Sequence, residues 1–112
     1  MSQTVRVCVA LLMLSVVAAA GAVHAQDARL GKEIFLEKAE PPCAVCHKLK
    51  DAESEGEIGP DLDEIKPDEL KVRNAVKNGV GNMPPFGDSL SAAEINAVAR
   101  YVAGAVGAGK GR

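Results

Sequence analysis

Five consecutive residues, Cys43-Ala44-Val45-Cys46-His47, restrict this chain more than any other stretch. Two cysteines three positions apart lie on one helical turn, and the histidine that follows is presented to the same group. This arrangement suits a porphyrin, because both thiols can form thioethers with haem vinyl groups while the imidazole binds the iron. The motif therefore predicts one covalent haem c, attached through Cys43 and Cys46, with His47 as the proximal ligand.

Residues 1–25 have the features of a secretory signal peptide. Arg6 supplies positive charge, residues 7–20 are apolar except for Ser15, and Val23-His24-Ala25 is a small-residue cleavage site. An uncleaved membrane anchor is the alternative, but a spanning helix needs roughly 20 apolar residues. The apolar run from Val7 to Val23 is shorter than that. We therefore expect cleavage, export to the periplasm and a single mature domain, residues 26–112.

The mature chain contains few residues that can bind iron. Its cysteines are Cys43 and Cys46, its one histidine is His47 and its one methionine is Met83. If the iron takes one nitrogen and one sulfur ligand, elimination leaves His47 and Met83. Met83 could instead be a core-filling thioether. In that case the protein would be a haem-based sensor or a small-ligand-binding domain with a labile sixth ligand.

The two cysteines also have other interpretations. A dithiol redox centre would need a strand before the motif, whereas Pro41 and Pro42 follow a helical pattern there. Zinc would need two further ligands, and the mature chain has no other cysteine and only one histidine. A structural disulfide has poor geometry at this spacing. The exported context and the adjoining histidine favour haem.

Charge and size restrict the possible partners and the size of the core. Removing Arg6 from the 13 basic residues leaves 12 against 15 acidic ones, a net charge of −3 that argues against nucleic acid as a partner. With one Tyr, two Phe and no Trp, the chain can bury only a small core, which haem would complete. Residues 48–59 lack an apolar period and are predicted to form a solvated loop, with an acidic docking patch as the alternative.

Three helices are predicted in the mature chain. Asp27 is expected to cap the first, which runs to about Ala39 and contains Gly31. The second begins at Pro67 and ends at Asn78-Gly79, with Leu70, Val72, Ala75 and Val76 on its apolar side. A loop over residues 79–87 then carries Met83 between glycines and prolines.

The third helix has the clearest end signals. Ser91 and Glu94 form a capping box, Leu90 can pack on Ile95, and Gly104 ends the helix.

Together these features resemble a small class I cytochrome c. The matching features are the Cys-Ala-Val-Cys-His motif, the turn Gly59-Pro60-Asp61-Leu62, Met83 in a Met-Pro-Pro-Phe loop, and a last helix containing Tyr101. The resemblance implies an all-α fold, in which the N- and C-terminal helices cross and further helices wrap around one covalent haem. It also implies that the Pro60 carbonyl accepts a hydrogen bond from His47.

The same family places a glycine and aromatic residues where its terminal helices cross, which implies this role for Gly31, Phe35 and Tyr101. One departure is the long interval between Phe35 and Cys43, occupied by residues 36–42. The size and the acidic loop also resemble the haem subunit of bacterial sulfite dehydrogenases, where a molybdenum subunit oxidises sulfite and reduces the cytochrome.

The function implied is one-electron transfer in the periplasm rather than catalysis. The expected partners are redox proteins, including a larger molybdenum-containing subunit in a heterodimer. No nucleic acid is expected, and no membrane span after signal cleavage. Docking is expected on an uncharged patch formed by Ala44, Val45 and residues 79–86.

Overall fold

The last helix, α5 (Ala92–Ala105), packs against the N-terminal helical segment and against the helix over residues 69–78. The structure, a computed structural model, describes residues 21–108. The predicted capping box is confirmed: Glu94 N–H donates to Ser91 Oγ (3.2 Å), and Ser91 N–H donates to a Glu94 carboxylate oxygen (2.8 Å). The buried side chains of the helix are Ile95, Ala97, Val98, Ala99, Tyr101 and Val102. Its apolar face therefore forms the centre of the core.

The first helical segment crosses α5 as the family resemblance implied. Residues 21–33 form α1, and Gly31 lies against α5 so closely that a β-carbon there would be 2.5 Å from Tyr101 Cβ. Phe35 and Tyr101 meet edge to face, with ring centroids 6.1 Å apart. The crossing at these three residues is confirmed. Only glycine permits it, because any side chain would separate the two helices.

The predicted cap at Asp27 is wrong. Residue 27 lies within the helical segment, and its carboxylate accepts a hydrogen bond from Arg100 at 2.6 Å. An aspartate before an apolar period is a capping signal, but here an ion pair with the last helix uses the same carboxylate. That pair joins residues far apart in the sequence, so the local pattern does not reveal it.

A π-helix, Ile34–Lys38, continues α1 and contains the first part of the long interval before Cys43. The wider turn accommodates an extra residue, and the Ala39 N–H donates to the Ile34 carbonyl at 3.2 Å. Lys38 forms an ion pair with Glu94. This contact lowers the pKa of Glu94 and raises the pKa of Lys38, and it ties the segment to the start of α5.

Residues 48–59 are more ordered than the predicted solvated loop. Strands β1 (Lys48–Leu49) and β2 (Ser54–Glu55) form an antiparallel hairpin around a 3₁₀ turn, Lys50–Ala52. Leu49 is completely buried and Ser54 is nearly so. The hairpin is the one departure, within residues 21–108, from an otherwise helical fold. A strand of two residues is too short to produce a recognisable alternation.

Two short helices and a longer one complete the fold. Helix α2 (Cys43–Cys46) carries the cysteines, and α3 (Leu62–Ile65) is capped by Asp61. Helix α4 (Glu69–Asn78) packs on α5. Asp68 caps α4 by accepting from Lys71 N–H at 2.8 Å, so the helix begins after Pro67 rather than at it.

Side-chain burial in α4 departs partly from the predicted apolar face. Val72 and Val76 are buried and Ala75 is half-buried, but Leu70 is 59% exposed. The predicted end at Gly79 is confirmed by its φ of 73°.

The predicted N-terminal signal overlaps only in part with the described residues. Positions 1–20 lie outside them, whereas positions 21–25 are helical. Between residues 21 and 108, no helix has the length and hydropathy needed to span a membrane.

Candidate functional site

The two cysteines lie on a single helical turn. Pro42 precedes α2, and the turn closes through the His47 N–H, which donates to the Cys43 carbonyl at 2.9 Å. Cys43 and Cys46 are both half-buried free thiols. Burial raises the pKa of the Cys43 thiol to about 11, so this sulfur is protonated at neutral pH. Both thiols border the same cleft, which a disulfide between them would not explain.

The His47 imidazole is held by the turn that follows the hairpin. Its Nδ1 lies 2.8 Å from the Pro60 carbonyl oxygen. A carbonyl can only accept a hydrogen bond, so Nδ1 carries the proton and Nε2 has a free lone pair. The neighbouring Gly59 leaves room for the ring, because a β-carbon at that position would be 2.6 Å from His47 Cε1. Gly59 and Pro60 thus set both the position and the tautomer of the imidazole.

A second set of contacts fixes the backbone of the motif. Ser54 Oγ donates to the His47 carbonyl at 2.9 Å, and Gly59 N–H donates to the Cys46 carbonyl at 2.6 Å. Gly56 lies against the same peptide, since a β-carbon there would be 2.7 Å from His47 N. Sequence reasoning missed Ser54 and Gly56. Serine is common in loops, and the only available signal was a glycine in the turn after the motif.

Met83 is presented by a loop with its own backbone pairing. Met83 N–H donates to the Val80 carbonyl (2.8 Å), and Val80 N–H donates to the Met83 carbonyl (3.2 Å). The loop is joined to α4 by the Phe86 N–H, which donates to the Val76 carbonyl at 2.8 Å. Phe86 is buried, and Met83 is half-buried beside the core. The side chain of Met83 lines the cleft that the cysteines and His47 also line.

The predicted site residues therefore meet at one cleft of about 380 Å³. This volume lies within the roughly 300–1,000 Å³ of typical cofactor pockets. The lining is predominantly apolar, and outside the motif its larger apolar side chains come from the π-helix, α3, α4, the loop over residues 79–87 and α5: Phe35, Leu62, Ile65, Val72, Ala75, Val76, Val80, Phe86, Val98 and Val102.

Haem fits the residues around this cleft. A large planar apolar group needs apolar walls, an iron needs donors, and covalent attachment needs free thiols. The cleft combines two thiols, an imidazole with a free Nε2 and a thioether, which is the donor set of a His/Met-ligated haem c. Zinc is less consistent with the site, because no three His, Cys, Asp or Glu side chains of residues 21–108 form a metal-binding cluster.

The known proteins that this chain resembles are also cytochromes. Residues 26–102 match the family model described as cytochrome C oxidase, cbb3-type, subunit III. Among solved structures, the chain is similar to the c-type cytochrome SorU from Sinorhizobium meliloti, with 54% sequence identity and a TM-score of 0.71. The match covers 73% of this chain and 93% of that chain. A search of curated proteins found no significant match.

Proposed function

Because this chain belongs to the cytochrome c family whose model is described as cytochrome C oxidase, cbb3-type, subunit III, we propose that it carries electrons in the periplasm through one His/Met-ligated haem. It is a c-type cytochrome, an electron-transfer protein rather than an enzyme, and a covalently bound haem c is implied by its family. The specific proposal is that Cys43 and Cys46 form the thioethers and that His47 and Met83 are the axial ligands.

One observation carries this assignment. Two thiols, an imidazole with a free Nε2 and a thioether line a single apolar cleft. Cys43 and Met83, the first and last of these residues, are 40 positions apart in the sequence. A core methionine would need none of the other donors nearby. A dithiol centre would not need an opposing thioether. Iron bound on both faces of a porphyrin uses all four groups.

The residues around the cleft favour electron transfer over bond chemistry. Haem supplies an iron that changes oxidation state by one electron. The Pro60 carbonyl accepts a hydrogen bond from the Nδ1–H of His47, which makes Nε2 a stronger donor and fixes the ring orientation. Met83 would supply the second iron ligand, and no position would then remain open for a substrate. The apolar walls exclude water, and a thioether ligand raises the reduction potential.

Export to the periplasm is supported by the sequence before the domain. The family match begins at residue 26, directly after the predicted cleavage site Val23-His24-Ala25. Covalent haem attachment through a cysteine motif also fits an exported cytochrome. Edman sequencing of the protein isolated from its native periplasm should begin at Gln26. An N-terminus upstream of residue 21 would contradict this assignment.

We further propose that the electron donor is a molybdenum-containing sulfite dehydrogenase subunit, as the sequence resemblance implied. Docking would use the apolar surface at the mouth of the cleft. Ile58 (76% exposed), Ile65 (47%) and Val80 (64%) line the cleft while facing solvent, and Val45 of the motif is also exposed. An uncharged patch of this kind suits a small redox interface with charged residues at its rim.

Residues 48–59, the alternative docking patch with acidic side chains, are a weaker candidate for docking. Asp51 is already used inside the molecule: it accepts a hydrogen bond from Tyr101 OH at 2.6 Å, and its backbone carbonyl accepts from Lys32 Nζ at 2.8 Å. Glu55 lies 3.9 Å from Lys48 across the hairpin. These contacts reduce the charge that the segment offers to a basic partner.

The test combines purification with kinetics. The untagged protein is purified from the native periplasm and co-purifying chains are identified. Its reduction is then followed after mixing with a purified molybdenum sulfite dehydrogenase and sulfite. Val80→Lys should slow reduction about tenfold or more, because it places a charge in the apolar contact. Leu70→Lys is the matched control, since Leu70 is similarly exposed but does not line the cleft.

Three results would contradict parts of this proposal. Absence of reduction by sulfite with the wild-type protein would remove the sulfite dehydrogenase as donor. Equal reduction rates for the wild type and Val80→Lys would contradict the proposed docking surface. Carbon monoxide binding to the reduced wild-type protein at neutral pH would favour the open-site sensor instead.

A further inference from the structure

The cleft has apolar walls, but two of its lining side chains are polar groups outside the set of thiol, imidazole and thioether donors. They are Lys71 of α4 and Asn82 of the methionine loop. In the part of the chain that the structure describes, Lys71 is the only lysine or arginine that lines the cleft. Neither residue takes part in iron ligation or covalent attachment. Their presence in an otherwise apolar lining requires a separate explanation.

The position of Lys71 within α4 is well defined. Val72, Ala75 and Val76 share the cleft-facing side of the helix, and Lys71 precedes them at its solvent-exposed edge. Lys71 is exposed and yet lines the cleft. A lysine in such a position can cover apolar surface with its stem while its ammonium group stays in water. Asn82 is likewise exposed and directly precedes Met83. Both polar side chains therefore lie between the cleft and solvent.

The ammonium group of Lys71 is available for an anion. Within residues 21–108, no carboxylate forms an ion pair with Lys71, whereas Lys32, Lys38, Lys48, Arg73 and Arg100 are all paired. Asp68, the cap three residues before Lys71, uses its carboxylate to accept the Lys71 backbone N–H at 2.8 Å. Glu69 is engaged by Arg73 and Arg100. Local acids therefore do not account for the lysine.

Haem would bring anions of its own, since it carries two propionate carboxylates. Burying these charges against the apolar lining without a partner would be costly. We propose, on the basis of the haem site argued above, that Lys71 pairs with a haem propionate at the rim of the cleft and that Asn82 donates a hydrogen bond to the same edge. This pairing raises the reduction potential, because a nearby cation favours the iron state with one positive charge fewer.

The experiment measures the equilibrium reduction potential of the holoprotein in Lys71→Gln, Lys71→Arg and Lys77→Gln. Lys77 lies on the same helix and is exposed, but it does not line the cleft, so its variant removes the same charge elsewhere. Lys71→Gln should lower the reduced-to-oxidised ratio at fixed ambient potential about twofold to fivefold, as expected for a partly solvated ion pair. That equals roughly 20–40 mV for a one-electron couple.

Resonance Raman spectroscopy supplies an independent readout. The bending vibrations of the propionate side chains should shift in Lys71→Gln and in Asn82→Ala, and should be unchanged in Lys77→Gln. Lys71→Arg should retain both the wild-type potential and the wild-type bands, because arginine keeps the charge. The three substituted positions are all exposed at the surface, so circular dichroism should report intact folds for the four variants.

The outcomes separate the possibilities. A lower potential in Lys71→Gln, with band shifts limited to Lys71→Gln and Asn82→Ala, supports the proposal. Equal potential shifts for Lys71→Gln and Lys77→Gln would show that the effect comes from the net charge of the protein and not from a contact with a propionate. That result would overturn the proposal. Unchanged bands and potential in Lys71→Gln would also overturn it while leaving haem binding intact. A wild-type protein without covalent haem would overturn the proposed function itself, and this inference with it.

Discussion

The two sides of the cleft are built in different ways. On the proximal side, residues 43–60 form a continuous segment in which backbone and side-chain hydrogen bonds repeatedly return to the motif. The His47 carbonyl accepts from Ser54, its ring donates to Pro60, and the Cys46 carbonyl accepts from Gly59. On the opposite side, the methionine loop, residues 79–87, holds Met83 through a backbone bridge to Val80 and through its connection to α4.

Burial follows the same division. The hairpin behind His47 contains the fully buried Leu49 and the buried Ser54. In the methionine loop, Phe86 is buried, but Val80 is 64% exposed and both prolines face solvent. Local opening requires less free energy where few apolar groups are buried. We therefore expect the methionine side to open first, while His47 remains in place.

The largest expected effect comes from removing both thiols. In Cys43→Ala/Cys46→Ala, acidified acetone should extract all of the haem, whereas none should leave the wild-type protein. Thioethers survive acid and coordination bonds do not. Absorbance of the organic phase measures the extracted fraction. Extraction of haem from the wild-type protein would show that attachment is not covalent.

Replacing Met83 tests the opposite side. Met83→Ala should leave haem attached, lower the reduction potential by an amount on the order of 0.1–0.3 V, and allow exogenous ligands to bind. That shift is a part of the roughly 0.8 V range that axial ligands control. Potentiometry and the near-infrared band of sulfur ligation measure it. Val80→Ala, in the same loop, should change neither, and an unchanged potential in Met83→Ala would make Met83 a packing residue.

Gly59→Ala tests how closely the proximal side fits. The added methyl group would lie 2.6 Å from His47 Cε1, so the ring or the turn must move. We expect a loss of about 1–3 kcal/mol in the free energy of unfolding, the usual range for overpacking. Denaturant unfolding of the holoprotein measures the loss. Gly104→Ala is the matched control, since nothing lies within 4 Å of a β-carbon at that helical position.

The smallest expected effect concerns the link between the hairpin and α5. Tyr101 OH donates to an Asp51 carboxylate oxygen at 2.6 Å, and Tyr101→Phe should reduce the free energy of unfolding by about 1 kcal/mol. Burial, followed by the Asp51 contact, raises the pKa of Tyr101. A raised folded-state pKa stabilises the fold below the unfolded value of about 10 and loses that stabilisation as pH rises further.

Wild type and Tyr101→Phe should therefore converge in stability above about pH 10. A constant difference between the two proteins from pH 7 to pH 11 would show that the contact is not linked to ionisation. An unchanged His47 environment in the variant, measured by NMR, would place the effect in the hairpin alone.

The sequence by itself determined the parts of this protein that depend on neighbouring residues. The cysteine spacing defines one helical turn, Ser91 and Glu94 define the start of α5, and glycines with prolines exclude helix around Met83. The family resemblance also predicted the helix crossing at Gly31, Phe35 and Tyr101. Each of these follows from local backbone geometry or from a pattern specific to the family.

Only the tertiary structure decided how the remaining residues are used. It pairs Asp27 with Arg100 instead of using it as a cap, buries Leu49 in a hairpin predicted to be a loop, and directs Ser54 to the His47 carbonyl. It also leaves Lys71 at the rim of the cleft without an ion pair among the described residues. These outcomes depend on partners distant in the sequence or on burial by other elements, and short-range patterns contain no information about either.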